Sequence, residues 1–136
     1  MPKLPWDLYF MGIAEEASKR SIDPHYQVGA VVASEDNRLL STGYNGFPSG
    51  FDESNLDWDN KEELRPFIIH AEKNAILYSR CDLSKAKLYC TLCPCKPCVL
   101  IARAAGIRKI YYRDSYKDDN SIFDFCKKLD VEIFKI

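Results

Sequence analysis

No stretch of the chain approaches the roughly 18 to 20 consecutive apolar residues that a membrane-spanning helix needs. The opening Met1-Pro2-Lys3-Leu4-Pro5-Trp6-Asp7 also lacks the continuous apolar core of a secretory signal. A cytoplasmic protein with no membrane partner is expected. Nor is there a block of Lys and Arg: 19 basic and 20 acidic residues are scattered to a net charge of -1, which argues against a long nucleic acid as partner. A small anion stays compatible with this balance, because one or two local donors hold a phosphate whatever the net charge. Low-complexity runs, internal repeats and linkers are missing too, and the composition is that of a globular protein rather than a disordered or fibrous one. With 136 residues, 46% of them hydrophobic, the expectation is one compact domain over 1–136.

Cysteine, by contrast, is not scarce: there are six, against two histidines. In a reducing cytosol such thiols point to metal binding or catalysis rather than to a disulfide framework. Cys90, Cys93, Cys95 and Cys98 crowd into nine residues, whereas Cys81 and Cys126 stand alone and read as small apolar fillers.

Trp6, Phe10, Ile13 and Ala17 recur at helical spacing, with Glu15, Glu16, Lys19 and Arg20 on the other face, which predicts an amphipathic helix over 6–20. Val28 to Ala33 is apolar on both faces and β-branched. With the turn-like Glu35-Asp36-Asn37 and the run through Leu39 and Leu40 it predicts a β-hairpin. A polar loop then runs from Gly43 to about Arg65, its acidic part from Asp52 to Glu63 reading as a solvated flap. A connection this long in a small domain usually has a function. A helical run follows Pro66 and Phe67-Ile68-Ile69 and reaches about Arg80. Beyond it come a strand near 87–90, a helix over 95–105 closed by Gly106, a strand over 107–112, a helix over 122–129 and a last strand over 131–134. The order αββαβαβαβ contains βαβ units, so an α/β fold with a mixed sheet covered by helices is expected.

Two motifs carry the chemistry: His70-Ala71-Glu72, and Pro94-Cys95-Lys96-Pro97-Cys98. His70, Cys95 and Cys98 are good zinc ligands. Three protein ligands leave the fourth tetrahedral position to water, the arrangement of a catalytic site rather than a structural one. A thiolate from Cys90 or Cys93 would close that position, so both read as non-ligands. Residues two apart point to nearly opposite faces of a helix, so His70 and Glu72 converge only at a helix start. Pro66 discourages helix just upstream and so allows a start there. Cys95 and Cys98 share a face, and Pro97 between them is tolerable only in an opening turn. Both motifs therefore belong at helix N-termini, where the partial positive charge favours thiolates. Glu72 is then the base that accepts a proton from the metal-bound water and later delivers it. The pair of motifs is the known signature of zinc nucleobase deaminases; a lone Cys-x-x-Cys would carry far less. His25, after Pro24, reads as a surface turn residue.

Beyond these motifs the chain resembles the deoxycytidylate deaminases over nearly its whole length. The matching segments, in the family's order, are Trp6-Asp7-Leu8-Tyr9-Phe10-Met11, Ala17-Ser18-Lys19-Arg20-Ser21, Asp23-Pro24, Gln27-Val28-Gly29-Ala30-Val31, Ser41-Thr42-Gly43-Tyr44-Asn45-Gly46-Phe47-Pro48, His70-Ala71-Glu72-Lys73-Asn74-Ala75-Ile76 and Ala105-Gly106-Ile107. The resemblance implies a cytidine-deaminase-like three-layer α/β/α sandwich with a five-stranded mixed sheet. It implies hydrolysis of dCMP to dUMP and ammonia, supplying dUMP for thymidylate synthesis. One zinc per chain would activate the water that attacks C4, while Glu72 shuttles protons to N3 and the leaving amine. It further implies that Asn45 binds the nucleotide, that the Ala71 N–H lies near the base and that Tyr116 stacks on it. Many members are hexamers activated by dCTP and inhibited by dTTP. Tyr44, Asn45 and Gly46 are thus candidates for a second nucleotide site, with Mg2+ accompanying the triphosphate. Cys93, two residues before Cys95, departs from the family pattern, and His25 with the spare cysteines assembles no second zinc site.

Two other functions compete. One is a deaminase of the same fold acting on dCTP, free cytidine or a tRNA adenosine. The patch-free charge disfavours tRNA and the Gly43-Tyr44-Asn45-Gly46 segment favours a deoxynucleotide, while neither excludes dCTP. The other is a non-catalytic zinc module, which would need neither Glu72 nor an open fourth position. No Lys or Arg stands out as the ligand of a phosphate.

Overall fold

The computed structural model describes residues 1–115 and 120–136. Pro5 precedes the first helix, α1 (Trp6–Ser18), at a position where a missing N–H removes no helical hydrogen bond. The buried stripe of α1 is Phe10, Met11 and Ala14. It is rotated from the row that the periodicity singles out: Trp6 is 52% exposed and stacks on Phe10 with ring centroids 5.7 Å apart.

β1 (Gly29–Ala33) is buried along its whole length, in keeping with a strand that is apolar on both faces. It pairs antiparallel with β2 (Leu39–Tyr44) and, on its other side, with β3 (Lys87–Leu92). Between β1 and β2, Asn37 takes a φ of 64°, a left-handed conformation that asparagine adopts more readily than most residues. β3, α4 (Lys96–Ala104), β4 (Lys109–Asp114), α5 (Ser121–Lys128) and β5 (Glu132–Lys135) then form successive parallel βαβ units. The strands lie in the order β2-β1-β3-β4-β5, a five-stranded mixed sheet.

Alternate strand residues face opposite ways, and the two sets are buried against different helices. Val31, Ala33 and Tyr89 pack on Phe10, Met11 and Ala14 of α1. Ala30, Val32, Leu88, Cys90 and Ile110 pack on α3 (Ala71–Ser79), α4 and α5 through Ala75, Val99, Ala102 and Ile122. The result is the three-layer α/β/α arrangement expected from the sequence. On the first face the Tyr89 hydroxyl donates to the Asp7 carboxylate at 2.5 Å, tying α1 to the middle of the sheet. Cys126 is a buried core residue, whereas Cys81 is exposed, not an apolar filler. It lies just past Arg80, whose left-handed φ of 52° ends α3. Among the described residues no helix is long and apolar enough to cross a membrane.

The connection after β2 is more than a solvated flap. Turns of 3-10 helix at Trp58–Asn60 and Arg65–Phe67 flank a short α2 (Lys61–Leu64). Phe47 and Phe51 stack at 4.7 Å, with Trp58 and Phe67 packed beside them. The acidic side chains do face solvent; the aromatic residues between them hold the segment down.

Because β1 runs against both neighbours, its start, the end of β2 and the ends of β3, β4 and β5 all lie at one edge of the sheet. Gly29 is opposite Tyr44, Leu92 opposite Asp114, and Tyr112 opposite Lys135. This is the edge at which open α/β sheets gather ligands, and both motifs sit there.

Candidate active site

The chain leaves β3 through Cys93 and Pro94 and enters α4 at Cys95, whose φ and ψ of -73° and 163° are those of a cap outside the helix. His70 has the same place before α3, at -65° and 152°. Each motif thus contributes one side chain from a helix cap and one from the first turn, Glu72 and Cys98. Pro97 fits in the opening turn of α4, where its missing N–H breaks no helical bond. The three donors come together: His70 Nδ1 lies 3.3 Å from Cys98 Sγ and 3.5 Å from Cys95 Sγ. All three atoms fall within 4.8 Å of one another. Ligands of a tetrahedral zinc, with bonds of about 2.0–2.1 Å to nitrogen and 2.3 Å to sulfur, stand roughly 3.5 Å apart, so this donor set fits the ion. Cys90, buried in the sheet, and Cys93, whose Sγ contacts the Pro94 carbonyl at 3.8 Å, lie outside the group.

Burial pushes the Glu72 carboxyl up from its ordinary value, and the thiols of Cys90 and Cys98 donate toward it. The hydrogen bond from the Cys98 thiol, with help from His70 and against burial, brings the Cys95 thiol down to about 4. The same bond, together with burial, pushes Cys98 up. Two adjacent thiolates repel, so one carries the charge and the other keeps its proton until a cation discharges both. The hydrogen bond to Cys95 raises His70 against the effect of burial. Burial raises Cys90 well above the usual thiol range and Cys93 to about 11, so neither is a thiolate at neutral pH.

Residues 4–114 match the family model described as the cytidine and deoxycytidylate deaminase zinc-binding region. The chain belongs to the cytidine and deoxycytidylate deaminase family. It is 37% identical over 124 residues to a probable deoxycytidylate deaminase of Caenorhabditis elegans and 39% identical over 127 residues to one of Drosophila melanogaster. These alignments cover 88% and 85% of this chain but only 62% and 63% of those proteins, so the chain spans less than two thirds of their length. Identity to the human deoxycytidylate deaminase is 36%, over 86% of this chain and 70% of that protein. The structure of a dCMP deaminase from the cyanophage S-TIM5, in complex with dCMP and dUMP, matches over all of both chains with a TM-score of 0.82 and 33% identity. A bifunctional deaminase and reductase from Thermotoga maritima, 24% identical with a TM-score of 0.71 over 96% of this chain and 36% of that one, shares the fold.

In this deaminase-family chain His70 and Cys95 line a cavity of about 840 Å³, whose walls also include Ala71, Glu72 and Asn45, while Cys98 is fully buried behind them. Asn45 is buried, its Oδ1 accepting from the Val28 N–H and its Nδ2 donating to the Tyr26 carbonyl, both at 2.9 Å. The amide thus braces the entry to β1 and has one further donor and acceptor site to offer the cavity. Tyr44 and Gly46 do not line the cavity. The ring of Tyr44 lies under Arg20 at 5.6 Å, and Gly46 exchanges backbone hydrogen bonds of 3.1 and 2.8 Å with Ile69. Tyr116 lies outside the described residues.

One pair escaped the sequence reading. Asp23 is 3% exposed at the cavity wall, where its carboxylate meets Lys61 Nζ at 2.7 Å and accepts from the N–H groups of His25 and Tyr26 at 2.8 and 3.2 Å. Burial alone would push this carboxyl up, but the Lys61 ammonium and the two N–H groups outweigh it and hold the carboxyl below its ordinary value. Lys61 thereby pins the segment after β2 to the cavity rim. The partners are 38 residues apart, and no local spacing signals them. His25 is an exposed turn residue with Nε2 3.4 Å from the Trp58 carbonyl.

Proposed function

We propose that the chain is a zinc-dependent hydrolase that deaminates dCMP to dUMP and ammonia. The observation that carries this is the convergence of His70, Cys95 and Cys98 beside buried Glu72, at a cavity of nucleotide size. Support for the substrate comes from the curated relatives named deoxycytidylate deaminase and from the full-length match to a dCMP deaminase holding dCMP and dUMP.

His70, Cys95 and Cys98 would hold one zinc per chain, which when bound supplies a water acidic enough to act as a nucleophile at neutral pH. Glu72 would relay two protons in turn on a carboxylate oxygen: the first taken from the attacking water and given to N3 of cytosine, the second taken from the hydroxyl formed at C4 and given to the amine, which leaves as ammonia when the C4–N4 bond breaks. Burial raises its basicity toward the working pH, which suits both halves of the transfer. The Ala71 N–H serves the base, and Asn45 orients the nucleotide with the capacity its amide has left; Tyr116 stacks on the base. Regulation by dCTP and dTTP at Tyr44, Asn45 and Gly46, with Mg2+ carried by the triphosphate, is supported by Tyr44 and Gly46 lying off the cavity that Asn45 lines. Assembly into a hexamer is supported by exposed Leu77, Tyr78, Leu100 and Ile101 on α3 and α4. A cytoplasmic setting is the one in which Cys95 and Cys98 stay reduced.

The test is product formation. Zinc-loaded protein is expected to convert dCMP to dUMP, to stop after chelation and to recover with added zinc. Metal-dependent turnover of dCTP or cytidine with none of dCMP would replace the substrate.

A further inference from the structure

Among the described residues four cations line the cavity: Lys61, Arg65, Lys96 and Lys135. Lys61 has its charge committed to buried Asp23 at 2.7 Å, and Arg65 is turned to Glu62 at 2.9 Å in an exposed pair within one helical turn. Lys96 and Lys135 make no such pair with a described carboxylate. The ammonium of Lys96, in the first turn of α4, rests 5.9 Å from the centre of the Phe125 ring. That of Lys135 lies 3.3 Å from Ser115 Oγ, which closes the ends of β5 and β4 over one side of the cavity. Among the described residues the carboxylates on the walls are Asp23, spent on Lys61, and Glu72, buried beside the metal ligands. The described residues of a chain of net charge -1 therefore present, between β4 and β5, a positive wall with a hydroxyl next to it. α5 starts at the same wall through Asn120 and Ser121, and the partial positive charge of its N-terminus adds to the field there.

We propose that Lys135 and the Ser115 hydroxyl form the subsite for the 5′-phosphate, and that this pair makes a nucleotide rather than a nucleoside the substrate. This rests on reading the cavity as that of a cytosine nucleotide deaminase. Lysine binds phosphate as a point charge with rotatable donors, which tolerates the modest geometric demands of an exposed strand end. A charge-assisted hydrogen bond of this kind accounts for about ten- to a hundredfold in affinity.

Calorimetric titration of the zinc-loaded protein with dUMP and with deoxyuridine, alongside dCMP kinetics, tests the assignment. Wild type is expected to bind dUMP at least about tenfold tighter than deoxyuridine. K135M should lose most of that preference while deoxyuridine binding is kept, and K135R should restore it. S115A should fall between, and K109M, at the exposed far end of β4, should keep the preference. In kinetics, K135M should lower kcat/KM for dCMP mainly through KM. A K135M protein that keeps both the preference and KM overturns the proposal, as does a preference lost equally in K109M. So does a wild type that binds dUMP no better than deoxyuridine, or not at all. The two readings fail separately: a preference lost in K135M without any dCMP turnover leaves the phosphate subsite standing and removes the substrate, and dCMP turnover indifferent to K135M does the reverse.

Discussion

Glu72→Gln is expected to keep the metal and the fold while lowering kcat for dCMP by about 10²- to 10⁴-fold, the usual worth of a positioned acid–base group. Glutamine preserves the shape of a side chain that is 4% exposed but has no oxygen basic enough to take a proton. The same substitution probes the energetics of the site. Burial raises the Glu72 carboxyl in the folded state, so at pH above the ordinary carboxylate value the unfolded chain carries a charge that the folded one resists. The group therefore favours folding less and less as pH rises from its unfolded pKa through its folded one. Glutamine removes that penalty, and metal-free Glu72→Gln is expected to melt no lower than metal-free wild type above about pH 5. Zinc content, thermal melting and steady-state kinetics read the three effects apart. Turnover within tenfold of wild type would remove Glu72 from proton transfer.

Gly43→Ala should be nearly as damaging, from a residue that touches no substrate. A Cβ at Gly43 would stand 2.4 Å from the Ala71 carbonyl oxygen and 2.5 Å from the Ala75 nitrogen. Both are backbone atoms of α3, so no rotamer change relieves the overlap, and α3 must lift off β2. Ala71 lies between His70 and Glu72, so the displacement passes directly into the ligand set. We expect a loss above the ~1–3 kcal/mol typical of an overpacked core. This corresponds to a fall in Tm of about 10 °C or more, with weakened zinc binding in a competition titration. Gly12 is the control. It is a helical glycine with nothing within 4 Å of an added Cβ, and its change to alanine should be neutral or stabilising by up to about 1 kcal/mol. A Gly43→Ala protein with wild-type Tm and zinc affinity would mean that α3 is not seated on β2 as described.

The legibility of this fold from sequence follows the range of the interactions. Helix starts at the two motifs were readable because Pro66 and Pro97 act within one turn, and the ligand spacing follows from the same turn. Boundaries were softer where a buried residue lies outside the ladder: Ile107 looks like the start of a strand, yet it is fully buried as the chain leaves α4, and β4 begins only at Lys109. Contacts between distant segments were not readable. The Asp23–Lys61 pair and the packing of Phe47, Phe51, Trp58 and Phe67 depend on how one long connection folds back, and neither has a periodicity to expose it. Gly43 shows a subtler limit. The Gly43-Tyr44-Asn45-Gly46 segment reads as a nucleotide contact, but its first glycine is explained by the close approach of α3, and the Asn45 amide is half spent on bracing β1. Lys135 and Ser115 looked like any dispersed polar residues until the register that sets Tyr112 opposite Lys135 brought the two strand ends together.

The most direct test of an open metal site at His70, Cys95 and Cys98 is zinc K-edge X-ray absorption on the loaded protein, with the metal counted per chain. One zinc is expected, with two sulfur neighbours at about 2.3 Å and two lighter neighbours at about 2.0–2.1 Å. One of the lighter atoms belongs to His70 and the other is exchangeable. A shell of three or four sulfurs, or a second zinc per chain, would contradict it: the extra thiolate, Cys93 first among the candidates, would have closed the position that the proposed hydrolysis requires.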